Sequence, residues 1–156
     1  MSDIPQNIQR FNLIALVLFT KLYEAFPSGI DVEPLKVGHD ALPKDESWDD
    51  QAWDFGAVAY DVVLWLAEEG FLRYENPNNT REFYNARLTM KGLTVLGYVP
   101  TSLQSTGPKE PLIEKIKRVL ATGTEKAGAE GVRAILGQIF SMALASKDMG
   151  STLINV

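Results

Sequence analysis

The hydrophobic period of this chain changes at Gly70, and that change limits the fold more than any other feature of the sequence. Upstream, apolar side chains recur every three or four residues, the spacing of helices that pack by one face. Ile8, Phe11, Ile14, Ala15, Leu18, Leu22 and Phe26 mark the first such element, expected over about Ile4 to Phe26 and stopped by Pro27-Ser28-Gly29. Val58, Asp61/Val62, Trp65 and Leu66 mark another over Ala57 to Glu69, with Gly70 placed to end it. Downstream the pattern alternates. Phe71 to Glu75 and Glu82 to Leu88 are aromatic-rich, and between them Asn76-Pro77-Asn78-Asn79-Thr80-Arg81 is turn chemistry throughout. The expectation is a β-hairpin with a long loop, Leu72 and Tyr74 facing Tyr84, Ala86 and Leu88. The fold class that follows is mainly α with a small β-hairpin, that is α+β.

The remaining segments fill in around this frame. Ile30-Asp31-Val32 fits a short strand, whereas residues 33–47 read as a polar connection punctuated by Pro and Gly. Ser47 followed by Asp50 resembles a capping box, so a short helix is expected from near Trp48. Thr89 looks like the cap of a segment reaching Leu96, and Gly97 to Pro108 is rich in breakers. The tail resumes as helix, with one stripe at Leu112, Ile113, Ile116, Val119 and Leu120 that ends at Thr122-Gly123. A second stripe holds Val132, Ile135, Leu136, Ile139, Phe140, Ala143 and Leu144. Glycines at 123, 128, 131 and 137 each weaken helix by about 1 kcal/mol relative to alanine, so packing must supply the difference. The expected organisation is a domain over residues 4–98, a linker over 99–108 and a helical region over 109–148.

Two strings carry a family resemblance. Leu66-Ala67-Glu68-Glu69-Gly70-Phe71-Leu72-Arg73-Tyr74 joins helix to strand through a glycine and returns an apolar pair to the core; Arg87-Leu88-Thr89-Met90-Lys91-Gly92-Leu93 leads a strand into a capped helix. With the order helix, short strand, short helix, helix, hairpin, this resembles the winged helix-turn-helix family over about residues 8–98. The resemblance implies a winged-helix-like domain followed by C-terminal helices. It also implies that DNA, where bound, meets the third helix and the hairpin loop. The third helix would offer Ala57, Tyr60, Asp61 and Val63, none of them basic. The wing would offer Arg73, Asn78, Asn79, Arg81, Arg87 and Lys91.

Charge weighs against nucleic acid. The net charge of −5 is unevenly spread: residues 1–69 hold 4 basic and 13 acidic side chains, residues 70–100 hold 4 and 2, and residues 101–156 hold 7 and 5. An acidic front half is a poor phosphate-binding surface, so DNA is possible through the wing but disfavoured.

Chemistry-bearing constellations are few. The chain has no cysteine, which removes disulfides, thiolate nucleophiles and cysteine zinc sites. His39 is the only histidine and is expected in an exposed loop, too isolated for triad or metal-ligand chemistry. Asp45, Glu46, Asp49, Asp50 and Asp54 are dense enough for a divalent cation, but they lack calcium-loop spacing and equally suit a helix start. The glycines from 123 to 137 follow no strand and form no phosphate loop. No cofactor or metal is expected. The aromatic middle of the chain can be core or a recognition surface; Trp48 and Trp53, in a short acidic segment, are the candidates for exposure.

The expected function is a non-enzymatic protein-interaction or assembly module. A protein partner or a second copy would bind through residues 109–148, using Val132, Ile135, Leu136, Ile139, Phe140 and Leu144, unless that stripe packs back on its own domain or, with only a sparse basic face at Lys126, Arg133 and Lys147, lies on a membrane surface. The alternative is a DNA-binding transcriptional regulator that uses the wing hairpin. The first ten residues lack a secretory-signal pattern, and the longest apolar run, Leu13 to Phe19, is too short to span a bilayer; a cytoplasmic location is expected.

Overall fold

The computed structural model describes residues 4–42, 48–76, 80–97, 110–122 and 124–154, with the backbone alone for 48–53, 122, 124–127, 129 and 146–154. It is mainly helical with a small three-stranded antiparallel sheet. The elements run α1 (Gln6–Ala25), β1 (Ile30–Val32), α2 (Pro34–Ala41), α3 (Trp48–Glu68), β2 (Leu72–Glu75), β3 (Phe83–Leu88), α4 (Met90–Leu96), α5 (Leu112–Thr122) and α6 (Thr124–Ile154). Among the described residues no helix is long and apolar enough to cross a membrane.

Helix α1 forms the axis of the core. Ile14 through Phe19 are six successive buried residues, so this stretch has no face left for solvent. A helix apolar on every side must be covered on every side. Helices α2 and α3 and strand β3 cover part of α1, while α5 and α6 cover the rest. Leu112, Ile113, Ile116, Val132, Leu136 and Ile139 accordingly join the same buried cluster as Ile14, Leu18 and Leu22. Lys117 reinforces the α1–α5 contact, lying 3.8 Å from the Glu24 carboxylate and 5.9 Å from the Tyr23 ring centroid. Residues 98–109, which contain the expected linker, lie outside the described residues.

Two expectations about helices are corrected. The stretch expected as an irregular connection contains α2, and the two helices expected from Trp48 and from Ala57 are the single helix α3. Pro34 and Gly38 read as breakers, yet Pro34 occupies the first turn of α2, where its missing N–H costs nothing. Gly38 lies where α2 meets α3: a Cβ there would come within 2.6 Å of the Phe55 carbonyl carbon and the Gly56 nitrogen. Gly56 is the reciprocal case, with the Leu35 Cδ1 only 2.7 Å from a Cβ placed on it. These glycines are present for contact between two helix backbones, not to end a helix.

The two strings that carry the resemblance are bonded to each other. At the end of α3, Gly70 adopts φ 86°, the Phe71 N–H donates to the Leu66 carbonyl and the Gly70 N–H to the Ala67 carbonyl. This is a Schellman closure, which needs a residue that tolerates positive φ. From the other string, the Thr89 hydroxyl donates to the Gly70 carbonyl, the Thr89 N–H to the Phe71 carbonyl and the Lys91 ammonium to the Glu69 carbonyl. Thr89 also caps α4 by accepting from the Gly92 N–H, as its position suggests. The start of α4 thus bonds the carbonyls of Glu69, Gly70 and Phe71, just past the end of α3.

The sheet order is β1-β3-β2, so the expected hairpin gains Ile30–Val32 as a third strand. Leu72 pairs with Leu88 and Arg73 with Arg87, but Glu75 pairs with Tyr84, a shift of one residue caused by a bulge in β3. The residue in the bulge is Asn85, at φ 52°, and its N–H donates to the Asp31 carboxylate. The bulge corrects the expected inner face. Phe83 takes the core position against Tyr74, with ring centroids 4.6 Å apart, and Tyr84 is turned away to bond the Glu82 carboxylate.

Candidate interaction surfaces

Of the basic wing residues, the structure brings only Arg73 and Arg87 together. They are directly opposite each other across β2 and β3, on the face away from Leu72 and Leu88, and both are exposed. Neither makes an ion pair or hydrogen bond among the described residues. Facing like charges destabilise a strand pair, so nothing internal to the fold favours this arrangement. Arg81 is engaged elsewhere, with its guanidinium carbon 5.7 Å from the Tyr60 ring centroid. Lys91 is committed to the end of α3, and its ammonium also lies 4.7 Å from the Phe71 ring centroid. Asn78 and Asn79 lie outside the described residues.

Helix α3, the position from which a third helix would read DNA, contains no basic residue along its length. Ala57 and Asp61 are exposed as expected, and Tyr60 is half-buried. Val63 was expected among the exposed positions, but it is fully buried. From Ala57 to Leu66 the helix is apolar at most positions, so its period does not single out an outer face. The outer face that forms carries Asp54, Ala57, Asp61, Trp65 and Glu68.

In the tail, Val132, Leu136 and Ile139 are buried in the chain's own core, and Ile135 and Phe140 are packed against it. Leu144 is the member of that stripe left in solvent, at 65% exposure. Trp48 and Trp53 have side chains outside the described residues. The tryptophan found exposed is Trp65, at 41%, although its spacing places it on the seam of α3. Its ring is edge-on to Phe11 at 5.4 Å and to Phe140 at 5.8 Å, so α1, α3 and α6 meet in one aromatic cluster. Ile8, one turn before Phe11, is 42% exposed.

A separate cleft of about 340 Å³ lies between the start of α2, the middle of α3 and the start of β3. Its lining includes Glu33, Leu35, Ala57, Tyr60, Arg81 and Glu82. Sequence reading does not single out Leu35 or Glu33, because neither the helix nor the cleft that places them is legible locally.

The remaining candidates are dispersed. His39 is exposed as expected, but it sits in the last turn of α2 rather than in a loop, 3.6 Å from Asp40. Asp45 and Glu46 lie outside the described residues, as do the side chains of Asp49 and Asp50. Among the described residues no group of three or more acidic, histidine or cysteine side chains could hold a metal ion. Comparison of the chain with protein-family models, with curated proteins and with solved structures gives no match.

Proposed function

We propose that this chain is a non-enzymatic protein-interaction module on a winged-helix-like scaffold, and that it assembles with a second copy of itself through the outer face of α6. The element order through β3 and the sheet order β1-β3-β2 support the scaffold. One observation carries the interaction reading. From Ala134 to Ala145 the helix has no charged residue, in a chain of which 22% is charged, while its inner face is already occupied by the core. The outer face offers Ala134, Gln138, Ser141, Leu144 and Ala145 to solvent, beside the exposed Trp65. A two-fold contact sets each residue near its own copy. Over most of a surface with net charge −5 that arrangement repels; on this face it does not.

Light scattering over a concentration series tests the assignment. The full chain is expected to reach a dimer mass, and Leu144→Arg to return it to the monomer, with thermal stability unchanged at a concentration where both chains are monomeric. A chain that stays monomeric at every concentration, or a dimer indifferent to Leu144→Arg, overturns it.

The unpartnered Arg73–Arg87 pair favours a second reading, a DNA-binding regulator that contacts phosphate with the wing. It predicts salt-sensitive duplex binding whose log K against log salt slope falls by about 1 for each of Arg73→Ala and Arg87→Ala. Absence of duplex binding at low salt refutes it.

A further inference from the structure

The cleft between α2, α3 and β3 combines features that the assembly face does not use. Its apolar part is Leu35, 38% exposed, together with Ala57 and the Tyr60 ring. Glu33 and Glu82 line the same cleft, and both are exposed. On the open side of α3, Asp54 and Asp61 lie one turn on either side of Ala57 and are exposed. Among the described residues, the cation that lines the cleft is Arg81. Arg81 rests on the Tyr60 ring at 5.7 Å and, among the described residues, pairs with neither carboxylate.

Each feature narrows the occupant. An aromatic face attracts a cation, and carboxylates that pair with no cation among the described residues extend that preference. The exposed leucine and alanine favour an apolar side chain next to the charge. A volume of about 340 Å³ is at the small end of ligand sites, enough for one or two side chains rather than a cofactor. The acidic surround discourages phosphate and carboxylate ligands.

We infer that this cleft docks a cationic, leucine-like segment of a partner protein, whose arginine or lysine takes the place of Arg81 on Tyr60. Arg81 then acts as an internal competitor. It sits two residues before β3, is exposed, and holds its place by the ring contact, so it can swing away without disturbing the core. Glu33 and Glu82 receive the incoming charge, while Leu35 and Ala57 receive the apolar neighbour. The inference is independent of self-association through α6, because the two surfaces share no residue.

The test is an NMR titration of the full chain with an acetylated, amidated tetrapeptide of two arginines between two leucines. A matched peptide with two glutamates serves as the control. Saturable shifts at Leu35, Ala57 and Tyr60 are expected with the cationic peptide alone. The double variant Glu33→Gln, Glu82→Gln should weaken binding about threefold to tenfold, the size of two exposed ion pairs, whereas Glu130→Gln on α6 should leave it unchanged. Arg81→Ala, an exposed change that spares the core, should tighten binding. No saturable shift, equal response to the acidic peptide, or weaker binding on Arg81→Ala overturns the inference.

Discussion

Gly38→Ala separates local propensity from packing, because the two predict opposite signs. Gly38 lies within α2, where alanine is the better helix former by about 1 kcal/mol. A reading of the sequence alone therefore expects the substitution to stabilise. In the structure the new Cβ would come within 2.6 Å of two backbone atoms of α3 and 2.8 Å of a third, the Phe55 carbonyl oxygen. Backbone cannot rotate aside as a side chain can, so α2 must move off α3 and strain its other contacts. Forcing extra volume into such a contact costs about 1–3 kcal/mol. Set against the propensity gain, the net loss is up to about 2 kcal/mol, which lowers Tm by up to about 8 °C for a chain of this length. Gly137→Ala on α6 is the internal control, since nothing lies within 4 Å of the added Cβ. It should raise Tm by about 2–4 °C through propensity alone. Thermal denaturation followed by circular dichroism, at a concentration where the solution mass is that of the monomer, reads both. If Gly38→Ala raises Tm as Gly137→Ala does, the close α2–α3 contact is refuted.

Two further substitutions test other parts of the architecture. Thr89→Ala removes both the cap on Gly92 and the bond to the Gly70 carbonyl, and urea denaturation should show a loss of about 1–2 kcal/mol. A loss of only a few tenths would mean that the α3–α4 junction does not depend on this hydroxyl. Ile139→Ala and Leu144→Ala, five residues apart on α6, should differ sharply: about 2–5 kcal/mol for the fully buried isoleucine and within about 0.5 kcal/mol for the exposed leucine. Equal losses, measured in one denaturation series at a concentration where the solution mass is that of the monomer, would refute the inward orientation of α6.

What the sequence reveals here depends on how local the determining physics is. The exit from α3 into β2 and the cap of α4 are legible because Gly70 and Thr89 act on backbone groups within a few residues. Helix α2 is illegible because Pro34 and Gly38 have meaning only through their place in the first turn and against Phe55. The β3 bulge is illegible for a similar reason. Asn85 in the left-handed region is held by Asp31, 54 residues earlier, and its side chain needs the space that a Cβ on Gly29 would take. The exposure of Trp65 is illegible because a helix with apolar residues on several sides does not declare which side faces water. The cleft needs three elements at once, so no linear pattern could have located it. The charge contrast is legible at any level: α3 has no basic residue, and the segment from Arg73 to Lys91 has several.

The run Leu13 to Phe19 shows that some long-range consequences are nevertheless written locally. Seven consecutive apolar residues in a helix leave no side that water can accept, and α2, α3 and the sheet cover only part of the circumference. Another layer had to arrive from elsewhere in the chain or from a second molecule, and α5 and α6 supply it in cis. This bears directly on how association can be measured. Removing everything after residue 108 would strip Leu112, Ile113, Ile116, Val132, Leu136 and Ile139 from the core. It would expose the far side of α1, so a change in mass would report misfolding or aggregation as readily as a lost interface. Inner and outer faces of α6 must be perturbed separately, with stability reporting the first and mass the second. A variant such as Leu144→Arg, which alters mass but not the Tm of the monomer, isolates assembly; one that also lowers the monomer's Tm has reached through the helix into the core.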